Sequence, residues 1–506
     1  MTSAYSTAGP AKPPCALQRA GASSGWRFRL LSIFGFFAPA DGQSIENLQG
    51  ANSTLSNLLD PASDESATNP AFPVKQPAPF AVHDKDGPSH SFNAVCVQLC
   101  NDQTGPSASS PVNNNGFVRS YKDDLLRRTH KIDASQIAEV MESFSPEQLP
   151  AINQLAKEFC LCDHWFCEVP GPTMPNRMYI HAATSEGYVH NAFQRDFTSK
   201  TIYQLVAEQG LTWCTYFHDL SEVLQFKALG NSASHFRRFP DRWADDVKNG
   251  DLPNYVFILP RFNNSKATAG AQQKMANSQH APEDVRFGES LIADVYDALA
   301  ANPTLFGETV LIVTYDEHGG FFEHVAPGPA PNPDGTNSPN PDDNANFKVP
   351  SFAFDRLGLR VPTLIVSPWI KRGTVENRNL QHTSVIKTAS EMFGLAGPLN
   401  ARDASAASFA DLFVKLPAPR PTADMPAKLD RPSLDHAVMS AAAGITVDPA
   451  DEPLDSLTDE WVKGFAQLMA RRTGAKLVGA DAVEPMPVTQ GEASEFINRQ
   501  LRMLGI

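Results

Sequence analysis

The sequence predicts an α/β fold in which a central, mostly parallel β-sheet is flanked by helices. Stretches rich in Val, Ile, Leu and aromatic residues have the length of buried strands, and they lie at 211–219, 254–262, 309–314 and 360–370. Segments with helical patterns alternate with them. Because parallel sheets are covered by helices on both faces, strands of this composition between amphipathic helices indicate a parallel sheet.

The predicted helices have amphipathic patterns and recognisable ends. The segment 145–159 opens with Ser145 as its predicted N-cap and Pro146 at the first helical position. The segment 281–303 has apolar residues at helical spacing and stops at Asn302–Pro303. Further helices are predicted at 382–395, 456–472 and 492–505.

Composition divides the chain into three parts. Residues 1–40 are predicted to be a leader or an altered N-terminus, 41–415 the main domain, and 416–506 a linker with a helical C-terminal region. Within the main domain, residues 41–117 and 327–347 are rich in Asn, Ser, Pro and Gly. These two segments are predicted to be long irregular insertions.

An apolar run near the N-terminus has two interpretations. Arg27 and Arg29 precede it and Ala38-Pro39-Ala40 follows it, which is the order of regions in a secretory signal peptide. Against this, the run starts late and Gly35 interrupts it. We expect a secreted or periplasmic protein if the run is a signal peptide, and a cytoplasmic protein otherwise.

Charge and hydrophobicity exclude several classes of protein. The formal charge of −14 argues against a nucleic-acid-binding protein, because the phosphate backbone attracts basic surfaces. No other stretch approaches the roughly 20 apolar residues of a spanning helix, so no transmembrane segment is predicted. The 7 cysteines include Cys160, Cys162 and Cys167 near His164, but without a paired CxxC motif, thiols or disulfides are favoured over structural zinc.

The strand predicted at 309–314 leads into Asp316, Glu317 and His318. Ligands in open parallel sheets gather beyond the carboxyl ends of the strands, so these side chains lie where a site is expected. Adjacent carboxylates repel one another and are stabilised by a cation. Oxygen ligands suit Mg, Ca or Mn, and the nearby imidazole makes Zn a further option. The alternative is a polar turn without a ligand.

A second segment, 169–187, contains a constrained loop with a threonine. Flanking prolines stiffen the backbone around Thr173, whose hydroxyl becomes a nucleophile when a divalent cation binds it. Asn176 and Arg177 follow, and their amide and guanidinium donors suit an anionic substrate such as a phosphate. The alternative is an ordinary proline-rich turn.

Several motifs in the same order resemble a known family. They are GPTMPNRMY, DVRFGESLIADVYDAL, residues 311–325, FDRLGLRVPTLIVSPWIKRGTV and HTSVIKTASEMFGL. Together they resemble the bacterial and plant phosphoesterase family, which contains phosphatidylcholine-type (non-specific) phospholipases C and related acid phosphatases. The likeness runs with gaps from about residue 83 to about residue 396. It implies an alkaline-phosphatase-like fold for the main domain, 41–415, and it implies that this domain is the phosphoesterase catalytic domain.

The resemblance implies a metal-dependent hydrolase of phospholipid head groups or phosphate esters. Thr173 matches the family's Ser/Thr nucleophile, so a phospho-threonine intermediate is expected. Asp316 and Glu317 match metal ligands, and Thr173 binds the same metal. One or more divalent ions are implied, with Ca, Mg, Mn and Zn all open. A phospholipid substrate further implies transient contact with a membrane surface.

Histidines complete the implied site. His218 matches an active-site position that is histidine in some members, and His280 and His90 are similar to further active-site histidines. We expect His218 or His280 to protonate the leaving alcohol. His318 and His324 are weaker candidates, placed with Asn176 and Arg177 as substrate-binding residues.

One region departs from the family pattern. Members begin with a strand that runs into Glu-Asn-Arg-Ser-Phe-Asp-His, whose Glu and Asn complete the metal shell, whereas the matching region here is GWRFRLLSIFGFFAPADG. We interpret Glu46–Asn47 as lying outside the aligned position. The alternative hypothesis is therefore a catalytically impaired member that binds phospholipid or phosphate. The intact Thr173, Asp316 and Glu317 favour an enzyme.

Overall fold

An eight-stranded β-sheet forms the centre of the computed structural model. The structure describes residues 16–20, 30–40, 42–61, 69–84, 86–101, 111–191, 196–229, 233–265, 274–338, 352–434, 454, 456–473, 486–503 and 505. The strands in these residues are β1 Ala16–Ala20, β2 Ser56–Leu58, β3 Ala71–Pro73, β4 Cys160–Cys162, β5 Trp165–Phe166, β6 Trp213–Phe217, β7 Phe236–Arg238, β8 Tyr255–Ile258, β9 Thr309–Thr314, β10 Thr363–Val366, β11 Thr374–Glu376 and β12 Leu380–Gln381.

The strand order of the central sheet is β11-β4-β10-β9-β1-β8-β6-β7. The five strands from β9 to β7 are all parallel to one another. β10 runs antiparallel to both of its neighbours, β9 and β4, and β11 is parallel to β4. The predicted α/β class with a mostly parallel central sheet is therefore confirmed. The parallel half also brings the carboxyl ends of five strands to one edge, where a site is expected.

All four predicted strands are present in the sheet. Every residue of β6, β8, β9 and β10 is buried, as the apolar composition requires. Cys160–Cys162, which the sequence offered as part of a metal or disulfide cluster, instead forms the buried strand β4. Among the described cysteines, Cys160, Cys162, Cys167 and Cys214 are free thiols.

Helices lie between the strands and cover the sheet. They are α1 Leu30–Phe34, α2 Phe92–Cys100, α3 Phe117–Thr129, α4 Ala134–Ala138, α5 Pro150–Glu158, α6 Thr173–Ala182, α7 Ile202–Glu208, α8 Phe239–Asn249, α9 Val285–Ala300, α10 Pro303–Gly307, α11 Thr383–Phe393, α12 Ala401–Ser405, α13 Ser456–Thr473 and α14 Gln490–Met503. No helix in the described part of the chain has the length and apolar character of a membrane span.

The predicted start of α5 was wrong by four residues. The helix begins at Pro150 with Leu149 as its N-cap, and Ser145 instead donates its backbone N–H to the Gln148 side chain. Pro150 explains the difference. A helix begun at Pro146 would put Pro150 in its interior, where proline lacks the required N–H and disfavours helical geometry in the preceding residue.

The N-terminal apolar run belongs to the core of the protein. Leu30, Leu31, Ile33 and Phe34 are completely buried in the main hydrophobic cluster. Upstream of them, β1 occupies a central position between β8 and β9. This burial is typical of a folded core segment, and the signal-peptide interpretation of the run stays a prediction.

The C-terminal helices pack against the loop that follows β8. The Trp461 ring of α13 meets the Phe262 ring edge-on at 5.1 Å. From the start of α14, the Gln490 side chain accepts a hydrogen bond from Asn264 N at 3.0 Å. The predicted helical C-terminal region therefore contacts the carboxyl edge of the parallel strands.

Glu289 of α9 makes the free energy of unfolding dependent on pH. Its Oε2 accepts hydrogen bonds from Ala151 N at 2.8 Å and Ile152 N at 3.3 Å in the first turn of α5. Burial raises the pKa of Glu289 from 4.5 to about 8, against those two hydrogen bonds, which lower it. The folded protein thus binds this proton more tightly than the unfolded chain does.

We expect wild type to lose stability between about pH 5 and pH 8 through Glu289, by about 3–5 kcal/mol, because each pKa unit corresponds to about 1.4 kcal/mol. Glu289→Gln should flatten this part of the curve of unfolding free energy against pH, measured by urea denaturation. The exposed Glu308→Gln is the control and should keep the wild-type slope. An unchanged slope in Glu289→Gln would show that Glu289 is not the titrating group.

Candidate active site

Thr173 is the first residue of α6 and is completely buried. Pro172 precedes it with an extended backbone, so the chain turns sharply from the loop into the helix. The Thr173 hydroxyl oxygen has no hydrogen-bond partner in the described structure. A buried hydroxyl without a partner is unfavourable, and it indicates a position that a ligand completes.

The loop before Thr173 is held by the Asn176 side chain. Its Oδ1 accepts hydrogen bonds from Glu168 N and Val169 N, both at 2.8 Å. Its Nδ2 donates to three carbonyl oxygens of the loop, of Val169, Gly171 and Pro172. Because both the oxygen and the nitrogen of the amide form hydrogen bonds to the loop backbone, Asn176 stabilises the conformation of the loop. Direct contact of Asn176 with substrate stays a prediction.

Arg177 links α6 to the end of β9 through buried ion pairs. Its Nε donates to Asp316 Oδ2 at 2.9 Å, and its guanidinium contacts Glu222 Oε1 at 2.7 Å. Burial by itself would raise the pKa of Glu222, but Arg177 and a hydrogen bond from His181 bring it below its ordinary value. Since Thr173 and Arg177 are four residues apart on one helix, this contact brings the Thr173 face of α6 to Asp316.

Asp316 and Glu317 follow β9 and are completely buried. The backbone oxygen of Asp316 accepts a hydrogen bond from His382 Nε2 at 2.8 Å, while His382 Nδ1 accepts one from the Trp165 indole at 3.1 Å. Glu317 Oε2 accepts from Gly319 N at 2.6 Å. These contacts fix both the backbone and the carboxylates of the predicted metal ligands.

The glycine turn after Glu317 is required by close packing. Gly320 has a φ of +79°, and a Cβ at this position would lie 2.8 Å from Pro88 Cβ and from Ser89 O. Only glycine fits both the conformation and the space. The turn consequently presses Glu317 against the loop that carries His90.

His90 and His280 lie together beside Glu317. Their rings are 6.2 Å apart in an edge-on arrangement, and His90 Nε2 is 4.0 Å from Glu317 Oε1. His90 Nδ1 lies 3.1 Å from Pro88 O and therefore carries the proton that this carbonyl accepts. Two of the predicted catalytic histidines thus share one side of the site.

His218 follows β6 and is buried in a basic environment. Its Nδ1 donates to Leu259 O at 2.8 Å, and its ring stacks on Phe239 at 4.6 Å. Burial and the nearby Arg261 lower the pKa of His218 to about 3. The ring is therefore neutral at physiological pH, and its Nε2 accepts rather than donates a proton.

His318 and His324 point to other surroundings. His318 Nε2 contacts Gln98 Oε1 at 2.7 Å beneath α2. His324 lies beside Glu46, with 3.5 Å between its Nε2 and Glu46 Oε1, and His164 contacts the same carboxylate at 3.3 Å. Both predicted substrate contacts are thus occupied by protein groups, and binding of substrate by these two residues stays a prediction.

Sequence reasoning missed Glu222 and His382. Glu222 lies in a short 3₁₀ turn after β6 with no motif around it, and only its contact with Arg177 gives it a role. His382 opens the quoted HTSVIKTASEMFGL motif, but its bond to Asp316 spans 66 residues of sequence and follows only from the fold.

The comparison with protein families shows the family to which the chain belongs. The profile of the Phosphoesterase family matches residues 39–396, which include every predicted site residue. The chain belongs to the Phosphoesterase family. The predicted family is confirmed, and with it the class of enzyme, a hydrolase that acts on ester bonds.

This phosphoesterase is similar to plant and bacterial phospholipases C. It is 33% identical to non-specific phospholipase C3 of Arabidopsis thaliana over 398 residues, which are 75% of this chain and 70% of that protein. It is 32% identical to non-specific phospholipase C1 of the same plant, over 88% of this chain and 78% of that protein. It is 30% identical to phospholipase C B of Mycobacterium tuberculosis, over 60% of each chain.

Similarity to solved structures is weak. A protein of the alkaline phosphatase superfamily from Vibrio parahaemolyticus has a TM-score of 0.30 and 13% identity, over 51% of this chain and 64% of that one.

The donors of this phosphoesterase fit a divalent cation in part. Asp316, Glu317 and the Thr173 hydroxyl are oxygen ligands of the kind that hard cations prefer. Within the described residues, however, no group of three or more His, Cys, Asp or Glu side chains has the arrangement of a metal site. Of the segment that matches the family's Glu-Asn region, GWRFRLLSIFGFFAPADG, the structure describes residues 30–40 and 42.

Cys167 is not a competing nucleophile. It lies beside the site, and burial, together with Glu317, Glu168 and Asp316, raises the pKa of its thiol well above the ordinary value. The residue therefore stays a neutral thiol, which is a poor nucleophile.

We expect Asn176→Ala to lower the free energy of unfolding of this phosphoesterase by about 2–4 kcal/mol, because the N–H groups of Glu168 and Val169 lose a buried acceptor. Urea denaturation measures the effect. The control is Asn153→Ala, also buried, which loses a single bond to Leu149 O and should cost about 1 kcal/mol. Equal losses in the two variants would contradict the role of Asn176 in shaping the loop.

Proposed function

We propose that this phosphoesterase hydrolyses phosphodiester bonds of phospholipids in the manner of a phospholipase C, through a phospho-threonine intermediate on Thr173. The observation that carries the proposal is the buried Thr173 hydroxyl without a partner, at the start of a helix whose Arg177 pairs with Asp316. The likeness to proteins named phospholipase C supports the substrate class.

Each residue has a task in the proposed reaction. The Thr173 oxygen attacks phosphorus and the bond to the diacylglycerol oxygen breaks, which leaves the head-group phosphate on Thr173. The first turn of α6 directs the positive end of its dipole toward the phosphate oxygens, while Met174 N donates to Asn191 Oδ1 at 2.9 Å and Pro175 has no N–H. Arg177 holds Asp316 in place from the same helix.

Protons move through the pair His90 and His280 beside Glu317. One of these imidazoles takes the proton of the Thr173 hydroxyl and passes it to the leaving alcohol, and it later takes a proton from the water that hydrolyses the phospho-threonine and returns it to Thr173. We assign this role to the pair rather than to His218, because a pKa of about 3 leaves His218 without a proton to donate.

A divalent cation, where bound, would be held by Asp316, Glu317 and Thr173. It would neutralise charge on the phosphate and favour the alkoxide form of Thr173. The identity of the ion is a choice among Ca, Mg, Mn and Zn that activity measurements decide.

A second candidate function is binding without turnover. It is favoured by the altered segment that corresponds to the family's Glu-Asn pair, because loss of metal ligands weakens metal binding severely. Such a chain would bind phosphatidylcholine at the same loop and release it unchanged.

Hydrolysis assays separate the two functions. Phosphatidylcholine vesicles and p-nitrophenyl phosphocholine are incubated with wild type and with Thr173→Ala, in each of the four metals and in a chelator. The proposal predicts metal-dependent turnover by wild type alone. Vesicle binding with no turnover above that of Thr173→Ala in any metal supports the second candidate and overturns the first.

A further inference from the structure

Three basic side chains lie at the ends of neighbouring parallel strands, away from Asp316. His218 follows β6, Arg238 ends β7, and Arg261 comes three residues after β8. β6 pairs with both β7 and β8, with Phe217 opposite Arg238 and Tyr216 opposite Ile258. The three residues are therefore adjacent at the carboxyl edge of the sheet, the same edge that carries Asp316 after β9.

The two arginines are half-buried and have neutral partners. Arg238 donates to the Asn498 side chain of α14 at 2.7 Å and lies over the Phe217 ring at 5.4 Å. Arg261 donates to Met275 O at 3.0 Å. Among the residues that the structure describes, neither guanidinium forms an ion pair with a carboxylate.

Two acidic groups, Asp219 and Asp241, lie near this cluster, and Asp219 interacts electrostatically with both guanidinium groups. Asp219 is buried, and its carboxylate already accepts hydrogen bonds from Leu220 N, Phe262 N and Asn263. Asp241 is exposed on α8. Arg238 and Arg261, together with Lys274, lower the pKa of His218, which places their charges close to its ring. In a chain with a formal charge of −14, this is a local excess of positive charge.

We infer that Arg238 and Arg261 form a second anion site, which binds a phosphate group. Two guanidinium groups without carboxylate partners offer paired N–H donors to phosphate oxygens. Arg238 and Arg261 are only partly buried, which leaves part of each side chain accessible to a ligand. The helix α14 borders the site through Asn498.

The site is separate from the phosphate that Thr173 attacks. The strand order places β8, β6 and β7 two to four strands from β9. At a spacing of about 4.8 Å per strand, the ends of these strands lie roughly 10–19 Å along the edge from the end of β9. It therefore suits a further phosphate on a lipid head group, or free phosphate. The inference concerns binding and does not depend on turnover.

The test measures binding in the Thr173→Ala protein by calorimetry, so that catalysis cannot interfere. The probes are inorganic phosphate, short-chain phosphatidylinositol 4-phosphate, whose inositol ring carries a phosphate monoester in addition to the bridging phosphodiester, and short-chain phosphatidylcholine, which has only the bridging phosphodiester. Arg238→Gln and Arg261→Gln are each added, and Arg242→Gln is the control. Arg242 lies on neighbouring α8, is exposed, and pairs with Asp246.

We expect each glutamine change at Arg238 or Arg261 to weaken phosphate binding about tenfold or more, and Arg242→Gln to change it less than about twofold. An equal loss of affinity for phosphatidylinositol 4-phosphate, with binding of phosphatidylcholine unaffected, identifies the added phosphate monoester of the lipid head group as the ligand. A loss for inorganic phosphate alone identifies free phosphate. Without ligand, the melting temperature of both variants should equal or exceed that of the parent, because half-buried like charges are removed.

The inference is overturned if all three probes bind the two variants as they bind the parent. It is equally overturned if Arg242→Gln weakens binding as much, which would indicate general charge attraction. A variant at Arg238 or Arg261 that melts well below the parent, or does not fold, shows that the guanidinium is structural and also overturns it.

Discussion

Thr173→Ala is expected to reduce kcat for p-nitrophenyl phosphocholine by about 10⁴-fold or more, because it removes the group that forms the covalent intermediate. The protein should remain folded. The hydroxyl of Thr173 makes no hydrogen bond within the described structure, so its removal leaves no broken bond behind. The measurement is the steady-state rate, together with the urea midpoint of each protein.

Thr173→Ser is the matched variant for this prediction, because it keeps the hydroxyl and removes only the methyl group. It should retain activity within about tenfold of wild type, since hydroxyl nucleophiles of both kinds serve in covalent catalysis. A second control is Thr184→Ala. It removes a hydroxyl that lies beyond the C-terminal end of α6 and donates a hydrogen bond to Asp334. If Thr173→Ala turns over as fast as Thr184→Ala, Thr173 is not the nucleophile.

Arg177→Met is expected to have the largest effect on stability, a loss of about 3–5 kcal/mol in the free energy of unfolding. Arg177 is completely buried and contacts both Asp316 and Glu222. Methionine has a similar length but carries no charge, so two buried carboxylates lose their shared cation. Urea denaturation measures the change, and activity should fall with it because Asp316 loses its partner on α6.

Arg431→Met is the control for this comparison. Arg431 also bridges two carboxylates, Asp294 and Asp297, at 2.7 and 2.8 Å, but its side chain is 39% exposed. Solvent screens such a pair, so the loss should stay within about 1 kcal/mol. Equal losses in the two variants would contradict the importance of burial at Arg177.

The sequence was sufficient to predict much of the fold. Uniformly apolar strands such as β8 and β9 and the long amphipathic helix α9 were predicted, because burial and helical spacing act on local sequence. Other features were missed or misplaced, among them β4 and the start of α5. β4 is a strand of only three residues, and α5 starts late because Pro150 governs its first turn.

Individual residues of the site were predicted from the sequence, but the contacts between them were not. Thr173, Asp316 and Glu317 stand out by motif and by position, but the ion pairs that join Arg177 to Asp316 and Glu222 cross distant parts of the chain. The protonation of His218 also depends on three-dimensional surroundings, since burial and Arg261 come from the folded protein. Contacts of this range follow only from the packed structure.

The most direct test of the central claim is to trap the covalent intermediate. Wild type turning over p-nitrophenyl phosphocholine is quenched in acid at successive times, digested, and examined by mass spectrometry. The account predicts a phosphocholine group on the peptide that contains Thr173, formed before steady state is reached and absent from Thr173→Ala. Turnover with no modified Thr173 at any quench time, or with the group on another residue, would contradict it.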